Sequence, residues 1–294
     1  MAILCCLVSR GALMTLPFQA LACPLDGLPL QPAGAMWRCA SGHSFDVARE
    51  GYIHLLPVQN KRSRDPGDSK EMVAARRRFL NAGHYQPITQ AVSRSVLAAH
   101  TGRGVMNVLD AGCGEGYYLR QLASAHTSTR PLALIGLDIS KWAVQAAAKQ
   151  QRDATWLVGS NANLPVVDAT LDCVLCMFGF PVYAEFARVL KPGGMLVQVD
   201  AGPEHLRELR EIIYPTLKAG RADEWRTPPG FQAPACETLR FELELGSAEQ
   251  IGDLLLMTPH LFRATAQGRA RAAALRTLAL TVEVRLACLM RDSS

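Results

Sequence analysis

No apolar run in this chain reaches the ~20 residues that a transmembrane helix needs, which excludes a helical membrane span. There are no internal repeats and no low-complexity tracts, so nothing points to a repeat architecture. Strong charge of one sign is also missing. The net charge of +5 is mildly basic, compatible with an acidic partner but not sufficient to name one. Nine cysteines are present, yet no disulfide framework follows from them. Their number is odd, they are scattered, and three fall in apolar, strand-like runs. A reducing cytoplasm fits better. Apolar residues at 49% and charged residues at 19% give an ordinary globular balance, and 294 residues can bury a substantial core.

The N-terminal stretch "MAILCCLVSRGALMTLPFQALAC" is a poor signal peptide. Only the amino terminus precedes its apolar run as a positive charge, and Arg10 splits that run. Residues 1–19 are therefore read as a non-essential, disordered extension, with Met14 as an alternative start. Residues 20–58 are rich in Pro, Gly and Cys, with "MWRC" and "GYIHLLPV" as short strand candidates. Such a module is too short to bury its own core and is of the kind a metal often staples. Within it, Cys23, Cys39 and His43 sit at spacings that suggest a zinc knuckle, except that Asp26 stands where C-x-x-C would place a second cysteine.

Residues 59–86 form a basic linker and helix. Lys61, Arg62, Arg64, Lys70, Arg76, Arg77 and Arg78 outweigh the local acids by +4. Ser69 is the expected N-cap of a helix through Leu80, and Gly83 its stop. From residue 87 to 294, strands and helices alternate, which means a parallel sheet with helices on both faces. "LRFELELG" and "ALTVEVRLACLMR" near the end are expected to extend that sheet in antiparallel fashion.

The strongest chemical signal is "VLDAGCGEGYY". An apolar strand ends at Asp110, and Gly112, Gly114, Glu115 and Gly116 lead straight into a helix. Glycines let the backbone turn sharply and approach a ligand, and the helix N-terminus offers free N–H groups to an anion. The next strand ends at Asp138, where a carboxylate can accept the hydroxyls of a ribose. The Gly-x-Gly-x-Gly spacing differs from the dinucleotide form. With Asp110 before it and "ARVLKPGG" later, it resembles the class I S-adenosylmethionine methyltransferases, which implies a Rossmann-like α/β sheet.

The front half narrows the resemblance. "KRSRDPGDS", "FLNAGHYQP" and "GCGEGYY" together resemble the RlmA-type ribosomal RNA guanine-N1 methyltransferases, from about Cys23 to the C-terminus and more weakly after residue 215. That resemblance implies a small zinc-ribbon-like RNA-recognition domain ahead of the S-adenosylmethionine domain. It implies methylation of N1 of a guanine in a 23S rRNA hairpin, position 745 in one subgroup and 748 in the other. It also implies a homodimer. Carried onto this chain, the cofactor contacts would be Tyr85, Gly114, Glu115 and His205, and the zinc ligands Cys23, Cys39 and His43, with Asp26 at the fourth position. Zinc accepts carboxylate oxygen, though a harder donor should weaken the site. The competing reading is a vestigial knuckle held by Trp37, Phe45 and Tyr52.

Phosphate contact is expected from Lys61, Arg62, Arg64, Arg76 and Arg77. "CMFGFPVY" offers Phe178 and Phe180 as stacking surfaces for the target base but no carboxylate, so the sequence does not name the base that takes the N1 proton; Asp200 and Glu204 are guesses for it. Two other readings stay open: a methyltransferase of small molecules, and a non-catalytic RNA-binding relative.

Overall fold

The computed structural model describes residues 15–60, 63, 65–99, 104–127, 130–217, 227–260 and 264–293. The parallel centre of the fold consists of β6 (Met106–Ala111), β7 (Leu132–Asp138), β8 (Thr155–Val158), β9 (Leu171–Met177) and β10 (Leu190–Ala201). Apart from the "KPGG" stretch near the start of β10, these strands are largely apolar, as strands covered on both faces must be. The antiparallel strands β11 (Ala235–Leu245) and β12 (Leu278–Met290) extend the sheet, giving the order β11-β12-β10-β9-β6-β7-β8, with residues 52–54 of the front segment paired beyond β8. The expected antiparallel extension is therefore present. The "KPGG" turn is not free-standing. It lies inside β10 as an irregularity, where the pairing with β9 shifts between Leu190 and Met195.

On one face lie α1 (Lys70–Asn81), α2 (Gln86–Ala99), α3 (Tyr117–Ala125) and α4 (Lys141–Gln150), joined by α7 (Ala248–Met257), which packs on α1. Ser69 caps α1 by accepting from Met72 N at 3.3 Å, and Gly83 follows its end at φ +84°, as expected. The opposite face carries α5 (Tyr183–Val189) and the front segment. No helix lies between β8 and β9. Phe18, Leu21, Leu30 and Trp37 pack there against Leu109, Ile135 and Leu157.

The front segment is thus built differently from the expectation in two respects. Its short strands β2 (Gln31–Ala33), β3 (Met36–Arg38) and β4 (Ser44–Asp46) form a separate small sheet, but β5 (Tyr52–His54) leaves it and pairs in parallel with β8. And β1 (Thr15–Pro17), assigned from sequence to the extension, pairs in parallel with β7. The reason is burial. A few apolar side chains cannot enclose one another, so they borrow the face of the large sheet. Among the described residues no helix is long and apolar enough to cross a membrane.

Candidate cofactor cleft and metal site

The loop after β6 turns through three glycines of positive φ: Gly112 at +97°, Gly114 at +55° and Gly116 at +81°. They serve different ends. A Cβ on Gly112 would meet nothing within 4 Å, so that stretch of backbone is bare for a ligand. A Cβ on Gly116 would lie 2.5 Å from the Trp156 ring, so this glycine lets α3 pack on the sheet. Asp138 fixes the loop from the next strand. Its Oδ2 accepts from Gly114 N at 2.9 Å and its Oδ1 from Ser140 N at 2.8 Å. Burial pushes its carboxyl above the ordinary range, against the pull of these two amides.

Gly112, Gly114, Asp138 and Ile139 wall one side of a cleft of about 300 Å³. Asp68, Arg76, Tyr85 and Met257 wall the other, with Phe178 and Phe180 at the rim. Arg76 was expected to face RNA phosphate. It turns into the cleft instead, with Nη2 on Asp68 Oδ2 at 2.7 Å and on Met257 O at 3.1 Å. Its buried Nε has no partner. An unpaired buried donor above a bare glycine loop invites an anionic group. The sequence did hold the clue: Arg76 interrupts the apolar stripe Val73–Leu80 of α1. Arg77 stays exposed, and Lys61, Arg62 and Arg64 lie outside the described residues.

The carboxylate of Glu115 is engaged through Oε2 by Arg120 and Gln150, both at 2.7 Å. Tyr85 reaches the cleft wall and also packs edge-on against Phe79, while its hydroxyl lies 3.4 Å from His205 Nε2. His205 precedes α6 (Arg207–Ile213) rather than lying in it, and stands behind Tyr85 and Phe178. Burial lowers its pKa to about 4, so the imidazole is neutral at pH 7. Two residues beside it have strained backbones: Phe178, whose ring it meets, has φ +54°, and Leu206, next in the chain, has φ +52°. Such strain in residues without glycine's freedom concentrates at functional sites.

Asp110 lies fully buried beneath the loop, and neither carboxylate oxygen has a partner. Burial, and secondarily the Asp138 charge, raise its pKa to about 8. The sign follows directly. The native state holds this proton where the unfolded chain would release it, so stability falls as pH rises from the unfolded value towards 8, by up to about 1.4 kcal/mol per pH unit. Asp110→Asn, isosteric and neutral, is expected to fold and to flatten that slope. Thermal unfolding between pH 5 and 8 checks it; an unchanged slope would show that Asp110 is ionised in the native protein.

The front segment brings its four candidate ligands together. Two tight turns face each other, one closed by Gly27 N on Cys23 O at 2.9 Å and the other by Gly42 N on Cys39 O at 3.0 Å. His43 Nδ1 lies 3.5 Å from Cys23 Sγ, 3.4 Å from Cys39 Sγ and 3.0 Å from Asp26 Oδ2. Tetrahedral zinc would separate sulfur from nitrogen by about 3.5 Å and nitrogen from oxygen by about 3.3 Å. Asp26 divides its work: Oδ1 accepts from Leu28 N at 3.1 Å, and Oδ2 faces the ligand cluster. The donor set therefore fits zinc, with the carboxylate oxygen replacing a sulfur.

Comparison with known proteins agrees with this geometry. A zinc-ribbon family model described as "RlmA, N-terminal" matches residues 21–64, and one described as "Methyltransferase domain" matches residues 108–194. The chain is 34% identical over 245 residues to the 23S rRNA (guanine(748)-N(1))-methyltransferase of Streptomyces fradiae, covering 81% of this chain and 84% of that protein. It is 35% identical over 290 residues to a Micromonospora griseorubida protein named for the same guanine-N1 methylation, covering 91% of this chain and 96% of the other. A Bacillus subtilis protein of that name, YxjB, is 33% identical over 203 residues, covering 68% and 71%. With its glycine-loop cleft and its paired turns at the front, this chain belongs to the 23S rRNA (guanine-N1)-methyltransferase family.

Proposed function

We propose that the protein transfers a methyl group from S-adenosylmethionine to N1 of one guanine in a hairpin of 23S rRNA, guanine 745 being the expected nucleotide and 748 the alternative. The supporting observation is the cleft: Asp138 tied to the glycine loop at 2.9 Å, with the unpaired Nε of Arg76 opposite. S-adenosylmethionine supplies an electrophilic methyl when bound. Gly112, Gly114 and Gly116 shape the loop, Asp138 is placed for the ribose hydroxyls, and Arg76 for the cofactor's carboxylate. Asp110, Glu115, Tyr85 and His205 complete the surroundings. The residues' main task is to hold N1 in line with the departing sulfur, about 3 Å from the methyl carbon.

Phe180, 89% exposed at the rim, and Phe178 are placed to stack the extruded guanine. Of the two carboxylates, Asp200 near the end of β10 and Glu204 just beyond it, Glu204 is held by Arg207 at 2.8 Å, whereas burial raises Asp200 above its ordinary pKa. Asp200 is the better candidate for the N1 proton. Residues 20–58 serve RNA recognition, Lys61, Arg62, Arg64 and Arg77 hold phosphate, and the enzyme works in the cytoplasm as a homodimer.

Primer extension on ribosomal RNA from a strain lacking the gene tests the function, because N1-methylguanine blocks Watson–Crick pairing. The stop at 745 or 748 should vanish and return when purified protein and S-adenosylmethionine are added. Methylation of small acceptors without any of ribosomal RNA would overturn the reading.

Zinc in this site would cross-link the two turns. Asp26→Cys is expected to tighten it by tenfold or more, since thiolate is the softer donor, and Asp26→Ala to release it. Competition with a chromogenic chelator reads both; equal zinc retention in all three proteins would remove Asp26 from the ligand set.

A further inference from the structure

Four surface depressions follow one another and share residues. The first, beside the front segment, is bordered by Arg49, Lys149 and Arg152. Lys149 also borders a groove between α1 and α4, together with Lys70, Arg77 and Trp142. Trp142 and Lys141 border the third, which reaches Ile139. Ile139 stands on the wall of the cofactor cleft. A continuous path therefore runs from the front segment to the cleft.

The cations along this path are unspent. All six are exposed, and none is ion-paired among the described residues. By contrast, Arg76, Arg78, Arg120 and Arg188 each hold a carboxylate at 2.5–2.7 Å. The acids bordering the first three depressions are Glu50, which accepts from Gln145 Nε2 at 2.8 Å, and Asp65. Like charges gathered in one strip repel each other, and a polyanion relieves that repulsion while releasing its own counterions.

A second feature suits an unpaired nucleotide. The half-buried Trp142 ring carries Lys70 Nζ 4.0 Å from its centroid and Lys141 Nζ at 5.9 Å. A nucleobase can take the ring face while its phosphate takes the displaced ammonium.

We propose that this path binds a single-stranded segment of the ribosomal RNA flanking the target guanine, with Trp142 stacking one base and Lys70, Arg77 and Lys149 holding phosphates. The proposal rests on the RNA-methyltransferase reading. It adds a binding surface on the catalytic half of the chain, separate from the metal site and from the aromatic rim.

The test titrates a 23S rRNA fragment that the wild type methylates against full-length variants at several salt concentrations, with S-adenosylmethionine affinity measured by calorimetry. Arg77→Gln combined with Lys149→Gln should weaken RNA binding at least tenfold and reduce the log–log salt slope by about 1.4, roughly 0.7 for each phosphate that is no longer neutralised. Trp142→Ala should cost about tenfold, and Trp142→Phe should recover most of it. Cofactor affinity should not move. Arg271→Gln, an exposed cation on α8 (Ala266–Ala273) away from the path, should stay within twofold of wild type. Wild-type RNA affinity and slope in the path variants would overturn the proposal and leave the methyltransferase reading standing. So would an equal loss in Arg271→Gln, or a parallel loss of cofactor binding. Failure of the wild type to methylate any ribosomal RNA is a distinct result that removes the reading and the path together.

Discussion

Replacing Asp138 by alanine is expected to weaken S-adenosylmethionine binding about a hundredfold while leaving the fold in place. Two losses add. The ribose hydroxyls lose a charged acceptor, and Gly114 N loses the partner that holds the loop at 2.9 Å. Hydrogen bonds to charged groups are worth about 1.5–3 kcal/mol each, so about 3 kcal/mol in total is a conservative sum. The fold should tolerate the change because Asp138 is a half-buried carboxylate already raised in pKa by its surroundings, and deleting it removes a desolvation cost along with the bonds. Asp138→Asn separates the two contributions. Its one carbonyl oxygen can still accept from Gly114 N, so the loop keeps its anchor, and the remaining deficit is shared between the ribose and the lost bond from Ser140 N. Calorimetric titration gives both numbers. Unchanged affinity in the alanine variant would mean that the nucleoside does not lie against β7.

Helix α1 shows how much of the site the sequence displayed and where it stopped. Ser69 as the cap and Gly83 as the stop were readable, because capping depends on local chemistry. The destinations of Arg76, Arg77 and Arg78 were not. One lines the cofactor cleft, one borders the α1–α4 groove, and one holds Asp253 on α7 at 2.5 Å. Consecutive helical residues point about 100° apart, so a run of three arginines cannot share a role, but which neighbour each meets is decided by packing partners up to 181 residues away. The same limit explains the front segment. Its ligand spacings are local and readable. The transfer of β5 to the large sheet depends on the exposed edge of β8, which no local signal describes. The glycine loop lies between these cases. Its place after an apolar strand announced a ligand site, yet the separate duties of Gly112 and Gly116 appear only when Trp156 is seen beneath the latter.

Trp156 also supports the largest expected stability effect. Its side chain is 1% exposed, its Nε1 donates to Gln151 O at 2.7 Å, and its ring fills the space left by two glycines, Gly116 on the loop and Gly136 on β7. Trp156→Ala should cost about 3–5 kcal/mol, because a large cavity opens under a rigid loop that cannot collapse into it. For a chain of this size that is a fall in Tm of roughly 10 °C. Gly136→Ala should be destabilising for the opposite reason, since its new methyl group would overlap the indole ring and also press on Cys113 Sγ at 3.0 Å. The two lesions share one space, so they should not add. Once the indole is gone, the methyl group has room, and the double variant should be more stable than the sum of the single changes predicts by at least ~1 kcal/mol. Denaturant unfolding of the four proteins measures that coupling. Simple additivity would mean that the ring and Gly136 do not compete for the same volume, and the account of why this sheet carries a bare position beneath its cofactor loop would fail with it.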